Sequence, residues 1–315
     1  MEEKVYIGID ISQDSLDMAA YPSGQIWNYK NNQNGIAKTL AKLKSVKPEL
    51  IVMEATGGLE IPLRDALDEA DLPTAVINPK RIRDHGRSMG VLAKTDKIDA
   101  KVMAHFAAKI EPPAQPARSK EERDLDSLLT RRNQLNDMLT AERNRLKQHG
   151  ESGVQADIKE HILWLESRIK SLDKEIKEKI QQNPTFKAKS ELYQSMKGVG
   201  YVFSSTLIAK APELGRINQR EIASLVGLAP VNKDSGKLRG KRMIQGGRAM
   251  VRKAAYMPVL SAIRYNPAIR ALYERLIAKG KLHKVALVAC MHKMLTILNS
   301  MAKNNTPWRC PALAV

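Results

Sequence analysis

Apolar and polar positions alternate from Val5 to Ser12. Val5, Ile7, Ile9 and Ile11 fall on one face of a strand at its two-residue period, which leaves Tyr6, Gly8 and Asp10 on the other. Asp10 is therefore a carboxylate inside an apolar strand. Burying an unpaired charge is costly, so it must neutralise itself, meet a cation or lie where the sheet opens to solvent. Gly8, one step back on the same face, leaves room for a close approach. Leu16 to Ala20 and Gln25 to Tyr29 predict two more strands around the turn signal Pro22-Ser23-Gly24, an antiparallel meander.

Strand and helix patterns then alternate. Ile36, Leu40 and Leu43 make one helical face, and Leu50 to Glu54 is an apolar run that ends in an acid. Ala55-Thr56-Gly57-Gly58 follows, then a helix through Leu63 and Leu67, a buried strand from Pro73 to Ile77, and Asn78-Pro79 as an N-cap with proline in the first helical position. The pattern predicts an α/β fold, a mixed sheet covered by helices, over residues 1–110.

Three prolines between Pro112 and Pro116 end that texture. Leu125, Leu128, Leu135, Leu139 and Leu146 mark a charged helix, and the helix after Gly150 to Gly153 carries Ile158, Ile162, Leu165, Ile169, Leu172, Ile176 and Ile180. Those steps of four and three form a heptad seam, so residues 111–185 are expected to be a helical hairpin with coiled-coil capacity. Its narrow seam and charged flanks favour self-association over closure within one chain. Residues 186–315 predict a mainly helical domain with glycine-rich interruptions, and the apolar stripe from Leu272 to Met301 reads as packing.

Charge separates these parts. The chain of 315 residues has a formal net charge of +18, and the last 130 residues hold 23 basic against 5 acidic side chains, which is the entire excess. A basic C-terminal part on a neutral remainder points to a polyanionic partner. Cys290 and Cys310 are the only two cysteines, which excludes a disulfide framework and a cysteine-based zinc site. Met-Glu-Glu-Lys lacks the features of a signal peptide and no uncharged run reaches spanning length, so a cytoplasmic protein with no membrane partner is expected.

Candidate chemistry collects on acids. If Lys94 to Ala100 is helical, Asp96 and Asp99 share a face at i and i+3. With Asp10 and Glu54, each near the end of a strand, they could converge where strand ends meet helix ends. Four carboxylates without paired histidine or cysteine suit Mg²⁺ or Mn²⁺, and two such ions serve phosphodiester chemistry. In the basic part, Lys197-Gly198-Val199-Gly200 resembles the turn of a helix-hairpin-helix module, where helix-start N–H groups bind phosphate. Val231 to Arg242 and Gly246-Gly247-Arg248 predict a mobile basic loop. Lys197, Lys233, Lys237, Arg239, Lys241, Arg242, Arg248 and Arg252 are the expected nucleic-acid contacts. A junction endonuclease using water, or a non-catalytic nucleic-acid scaffold, would fit the same residues.

The motifs Tyr6-Ile7-Gly8-Ile9-Asp10, Met53-Glu54-Ala55-Thr56-Gly57, Val76-Ile77-Asn78-Pro79 and Lys94-Thr95-Asp96 with Asp99-Ala100 resemble the N-terminal domain of the DEDD transposases of bacterial insertion sequences, the one-hundred-and-ten family. Gly198-Val199-Gly200, Leu225 to Pro230, Ser235-Gly236, Arg239-Gly240 and Arg252 to Met257 resemble its second domain. The resemblance implies a RuvC/RNase H-like catalytic domain, a coiled-coil insertion and a basic transposase domain. It implies that Asp10, Glu54, Asp96 and Asp99 bind the metal and that Ser235 is a nucleophile forming a phosphoserine link to DNA. It also implies a structured guide RNA, a homodimer or homotetramer, element and target DNA as substrates, and a bacterial, nucleoid-associated location. Separation of Ser235 from the acids by the hairpin suggests a site shared between protomers.

Overall fold

The computed structural model describes residues 4–91, 95–148, 153–232, 234–236, 238–240 and 242–309. The side chains of Leu238 and Arg239 lie outside that description, as do Lys94, Gly150, Lys233, Lys237, Lys241 and Cys310 among the residues singled out from sequence. The chain divides into two compact units, residues 1–120 and 121–315.

Unit 1 opens with β1 (Tyr6–Ile11), β2 (Ser15–Tyr21) and β3 (Ile26–Lys30), continues through α1 (Gln33–Val46), β4 (Leu50–Glu54), α2 (Ile61–Glu69), β5 (Thr74–Ile77) and α3 (Pro79–Ser88), and ends on α4 (Asp96–Ile110). Its sheet runs β3-β2-β1-β4-β5. The β1–β2 and β2–β3 pairs are antiparallel, whereas β4 pairs in parallel with both β1 and β5. The alternation in β1 becomes two cores. Ile7, Ile9 and Ile11 pack with Leu43 of α1 and with Leu63 and Leu67 of α2 on one face. Tyr6 joins Val52, Val102, Met103 and Phe106 beneath α4 on the other. Ile7 and Ile9 are fully buried, each contributing about 1.5–3 kcal/mol.

Gly8 sets how close α4 comes. A Cβ at that position would lie 2.2 Å from the carbonyl oxygen of Ala100 and 2.3 Å from the nitrogen of Ala104, so the helix backbone rests directly on β1. Ala19, Ala100 and Ala104 line this contact with minimal side chains. Any residue larger than glycine at position 8 would lift the helix, and with it the turn that carries Asp96 and Asp99. Thr95 starts that helix by accepting a hydrogen bond from the Ile98 N–H, and Asn78 caps α3 at the Lys80 N–H with Pro79 behind it.

The proline-rich stretch after α4 is held down rather than free. Gln115 donates its backbone N–H to Thr74 and its side-chain amide to Val76, covering the edge strand β5. Buried Arg64 pairs with Asp68 at 2.7 Å and reaches the Gln115 side chain at 3.0 Å, while Arg118 pairs with Asp65 at 3.0 Å.

Unit 2 begins with α5 (Lys120–Gln148) and α6 (Val154–Gln182), followed by α7 (Pro184–Gln194), α8 (Tyr201–Lys210) and α9 (Gln219–Val226). The first two helices are antiparallel: Asp124 meets Lys179, Arg132 meets Asp173 and Arg143 meets Glu166. Their seam is closed within the chain, with Leu135 and Leu139 against Ile158, Ile162, Leu165 and Leu172. α5 thus supplies an apolar partner for α6 within the chain, so this seam is filled without a second copy. Leu125, Leu129, Ile176 and Ile180 belong instead to the core that contains Phe186, Phe203 and Leu207.

In the segment expected to be a mobile loop, the described residues form two short ladders, one inside the other. β6 (Pro230–Val231) pairs with β9 (Met243–Ile244), and inside them β7 (Asp234–Ser235) pairs with β8 (Leu238–Arg239). The helices α10 (Ala249–Ala254), α11 (Tyr256–Tyr265), α12 (Pro267–Ala278) and α13 (His283–Asn304) complete the unit. By length and mean hydropathy, 1.4 over its most apolar window, α13 could cross a membrane. Its buried Leu287, Cys290, Met291, Met294, Leu295 and Leu298 make it a core helix here.

Candidate active site

Asp10 is the next-to-last residue of β1, on the face beneath α4. Met53 is in register with Ile9 on the neighbouring parallel strand, so Glu54 is level with Asp10 and on the same face. Asp96 and Asp99 occupy the first turn of α4, which runs antiparallel to β1 and presents its N-terminal end to this end of the sheet. Asp10 and Glu54 are half-buried, as is Asp99, and Asp96 is exposed.

The acids act on one another. Burial, and after it the negative charges of Asp99, Asp96 and Glu54, push the Asp10 carboxyl up from its ordinary 3.8 to about 6. The Ile11 backbone N–H, bonded to the carboxylate, works against that rise. Among the described residues no three aspartate, glutamate, histidine or cysteine side chains are already gathered tightly enough to chelate an ion. The donor set nevertheless fits a hard divalent cation in kind, all oxygen and all anionic, and in place, since an ion would relieve the mutual repulsion that loads Asp10.

One carboxylate escaped sequence reasoning. Asp17 on β2 lies directly across from Asp10 in the antiparallel register. It is buried and hydrogen-bonded to Ser15 and Asn28. An acid inside the apolar run Leu16-Asp17-Met18-Ala19 held the signal, but only the strand register gives it meaning.

In unit 2, Ser235 is exposed at the inner end of the β7–β8 ladder, one residue before Gly236 at φ 54°. Gly240 donates its N–H to the Asp234 side chain at the other end of this ladder. The arm is anchored at its root. Gly227, at φ +72°, lets its turn approach that of Gly246, where a Cβ would stand 2.0 Å from the Gly246 oxygen. Arg252 clamps both turns by donating to the Val226 oxygen at 2.7 Å and the Gly246 oxygen at 2.8 Å. Arg248 forks onto Glu213 at 2.5 and 2.6 Å and donates to the Lys210 oxygen at 2.7 Å. Among the basic candidates, Arg248 and Arg252 thus hold the protein together, whereas Lys197 and Arg242 are exposed. Lys197 precedes Gly198, whose φ of +102° and lack of a Cβ let the turn press on Ala262, and Gly200 opens α8.

Comparison with known proteins bears on both units. Residues 7–150 match a transposase family of the DEDD type associated with IS110, and residues 190–274 match the Transposase IS116/IS110/IS902 family. The chain is 30% identical to the pilin gene-inverting protein of Moraxella bovis over 319 residues, covering 97% of this chain and 98% of that one. The pilin gene-inverting protein of Moraxella lacunata is 29% identical over the same shares of each chain. A transposase for insertion sequence element IS1111A from Coxiella burnetii is 21% identical over 99% of this chain and 93% of its own.

Proposed function

Because this chain belongs to the IS116/IS110/IS902 transposase family, and is thus a DNA-processing enzyme of the transposase and recombinase class, we propose that it cleaves and rejoins DNA strands to insert or invert a segment. Asp10, Glu54, Asp96 and Asp99 hold Mg²⁺ or Mn²⁺ in that reading. One observation carries it: the Asp10 carboxyl is raised by burial and then by each of the other three acids, which supports reading them as one electrostatic site. The antiparallel start and parallel continuation of the sheet support reading unit 1 as a RuvC/RNase H-like catalytic domain. The antiparallel helices support a coiled-coil part, and the basic remainder a nucleic-acid-gripping part.

Divalent ions bound there would stabilise the attacking and leaving oxygens of a phosphodiester. The chain's own groups do the rest. Ser235 attacks phosphorus as its proton leaves to solvent, the bond to one DNA oxygen breaks, and that oxygen takes a proton from solvent to leave as a free hydroxyl. The phosphoserine ester keeps the other strand end until an incoming DNA hydroxyl reverses the step. Exposure at the arm's tip gives Ser235 access to a strand. Arg248 and Arg252 position the arm from its root, while Lys197 and Arg242 are available for phosphates. A structured guide RNA and assembly as a dimer or tetramer complete the reading, supported by family membership and by the 23 basic residues after position 185.

The Ser235 hydroxyl has no hydrogen-bond partner among the described residues, and that favours a second reading, a RuvC-type nuclease that uses water. Denaturing gels of reactions on labelled element-junction DNA separate the two. A protein–DNA adduct that Ser235→Ala abolishes is the expected result; strand cleavage by Ser235→Ala at the wild-type rate, with no adduct in either protein, would establish the water-using nuclease.

A further inference from the structure

Asp17 forms one row with the acids already described. β2 pairs Asp17 with Asp10 on one side and with Asn28 of β3 on the other. Glu54 is level with Asp10 across β4. Residues opposite one another on paired strands share a face, with Cβ atoms about 4.5–5.5 Å apart in antiparallel pairs. The packing of Ala19, two residues on from Asp17, against Ala100 and Ala104 identifies that face as the one α4 covers. Asn28, Asp17, Asp10 and Glu54 therefore cross four strands at a single level, in front of the helical turn of Asp96 and Asp99.

Asp17 is only 4% exposed. Asn28 donates its amide to one carboxylate oxygen at 2.9 Å, and the Ser15 hydroxyl donates to the other at 2.9 Å. The Ser12 hydroxyl, 2.9 Å from that of Ser15, extends the chain of hydrogen bonds towards the end of β1. Two neutral donors leave about half of a carboxylate's acceptor sites unused. No lysine, arginine or histidine among the described residues is within ion-pair distance of Asp17. A residue needed only to accept those two hydrogen bonds could be neutral, and it would avoid the cost of a buried charge. A negative charge fixed across from Asp10 has a purpose when a cation arrives between the acids.

We propose that Asp17 is a positioning residue of the divalent-cation site, adding attraction for the ion and acting through Asp10, with Ser15 and Asn28 fixing its direction. The proposal rests on reading Asp10, Glu54, Asp96 and Asp99 as that site. Residues that orient metal ligands change affinity about 10–100-fold when replaced.

Titration calorimetry of the full-length chain with Mn²⁺ tests this without any DNA. Asp17→Asn preserves size and should weaken Mn²⁺ binding about tenfold, whereas Asp14→Asn, on an exposed acid of the same meander, should leave it within about twofold. Thermal melts of the metal-free variants separate a structural role, which would lower the melting temperature without moving the Mn²⁺ constant. Should Asp17→Asn fail to fold, Asn28→Ala at the exposed β3 position carries the test, with binding expected to weaken about threefold. Unchanged Mn²⁺ binding in Asp17→Asn, or in Asn28→Ala if only that variant folds, while Asp10→Asn abolishes binding, would overturn the role of Asp17 and keep the four-acid site. A wild-type chain that binds no Mn²⁺ would overturn both.

Discussion

Beside α2 and β5, Asp65 and Asp68 are matched by Arg64 and Arg118; at the ends of β1 and β2, Asp10 and Asp17 face other acids. Both clusters belong to unit 1 and both are partly removed from water. In the first, each acid has an opposite charge within ion-pair distance, and Arg64 donates onward to Gln115, so the pairs help hold the 112–118 segment to the sheet. In the second, burial together with the neighbouring negative charges lifts the Asp10 carboxyl to about 6. Paired charge holds the scaffold together, whereas the acids that raise a neighbour's carboxyl at a sheet end are the ones proposed above to hold a cation.

Breaking the two clusters should have opposite consequences. Asp10→Ala, or Glu54→Ala, should lower strand cleavage on the order of 10²–10³-fold, measured as product on denaturing gels at saturating Mg²⁺, while the metal-free protein melts no lower than wild type. Mixing Asp10→Ala with Ser235→Ala protein should restore part of that activity if acids and serine come from different protomers; confirmed mixed oligomers with no recovery would refute the sharing. In the matched cluster, Arg64→Met leaves buried Asp68 with only the longer 3.5 Å contact to Arg118. Urea unfolding should show a loss of about 3–5 kcal/mol, much of it regained in Arg64→Met with Asp68→Leu.

A smaller effect follows from the proton on Asp10. A carboxyl raised in the folded state holds its proton more tightly there than in the unfolded chain. Below about pH 4 both states are protonated and nothing is lost; as pH rises from 3.8 through 6 the folded state alone must give up stability, and above 6 the penalty is complete. Asp10→Asn removes the penalty. Metal-free Asp10→Asn should therefore be more stable than wild type at pH 8, by about 1–2 kcal/mol after allowance for solvent screening of a half-exposed group, and equal to it near pH 3.5. A gain of the same size at both pH values would mean that ionisation is not its cause. Smallest of all, Ser235→Ala should leave stability within about 0.5 kcal/mol, because the side chain is exposed at the tip of the arm.

What the sequence disclosed follows the range of the interactions involved. The two faces of β1, the Asn78-Pro79 cap, and the helical spacing of Asp96 and Asp99 are set by residues a few positions apart, and each is present in the structure. Asp17 was hidden because its significance depends on pairing with Asp10, which a list of alternating residues does not fix. The three prolines announced a break in pattern, yet Gln115 spends its hydrogen bonds on Thr74 and Val76, about forty positions earlier. Arg248 and Arg252 were counted as basic surface, since composition records charge and not the Glu213 carboxylate or the carbonyls that occupy them. The heptads announced a seam but could not say which helix would fill it.

The proton on Asp10 offers the most direct test of a shared cation site. Carboxyl-carbon NMR of aspartate-labelled protein should show Asp10 titrating near pH 6 without metal, and saturating Mg²⁺ should carry that midpoint below its ordinary 3.8 as the ion takes the proton's place. An Asp10 midpoint near 4 that does not respond to Mg²⁺ would contradict the site.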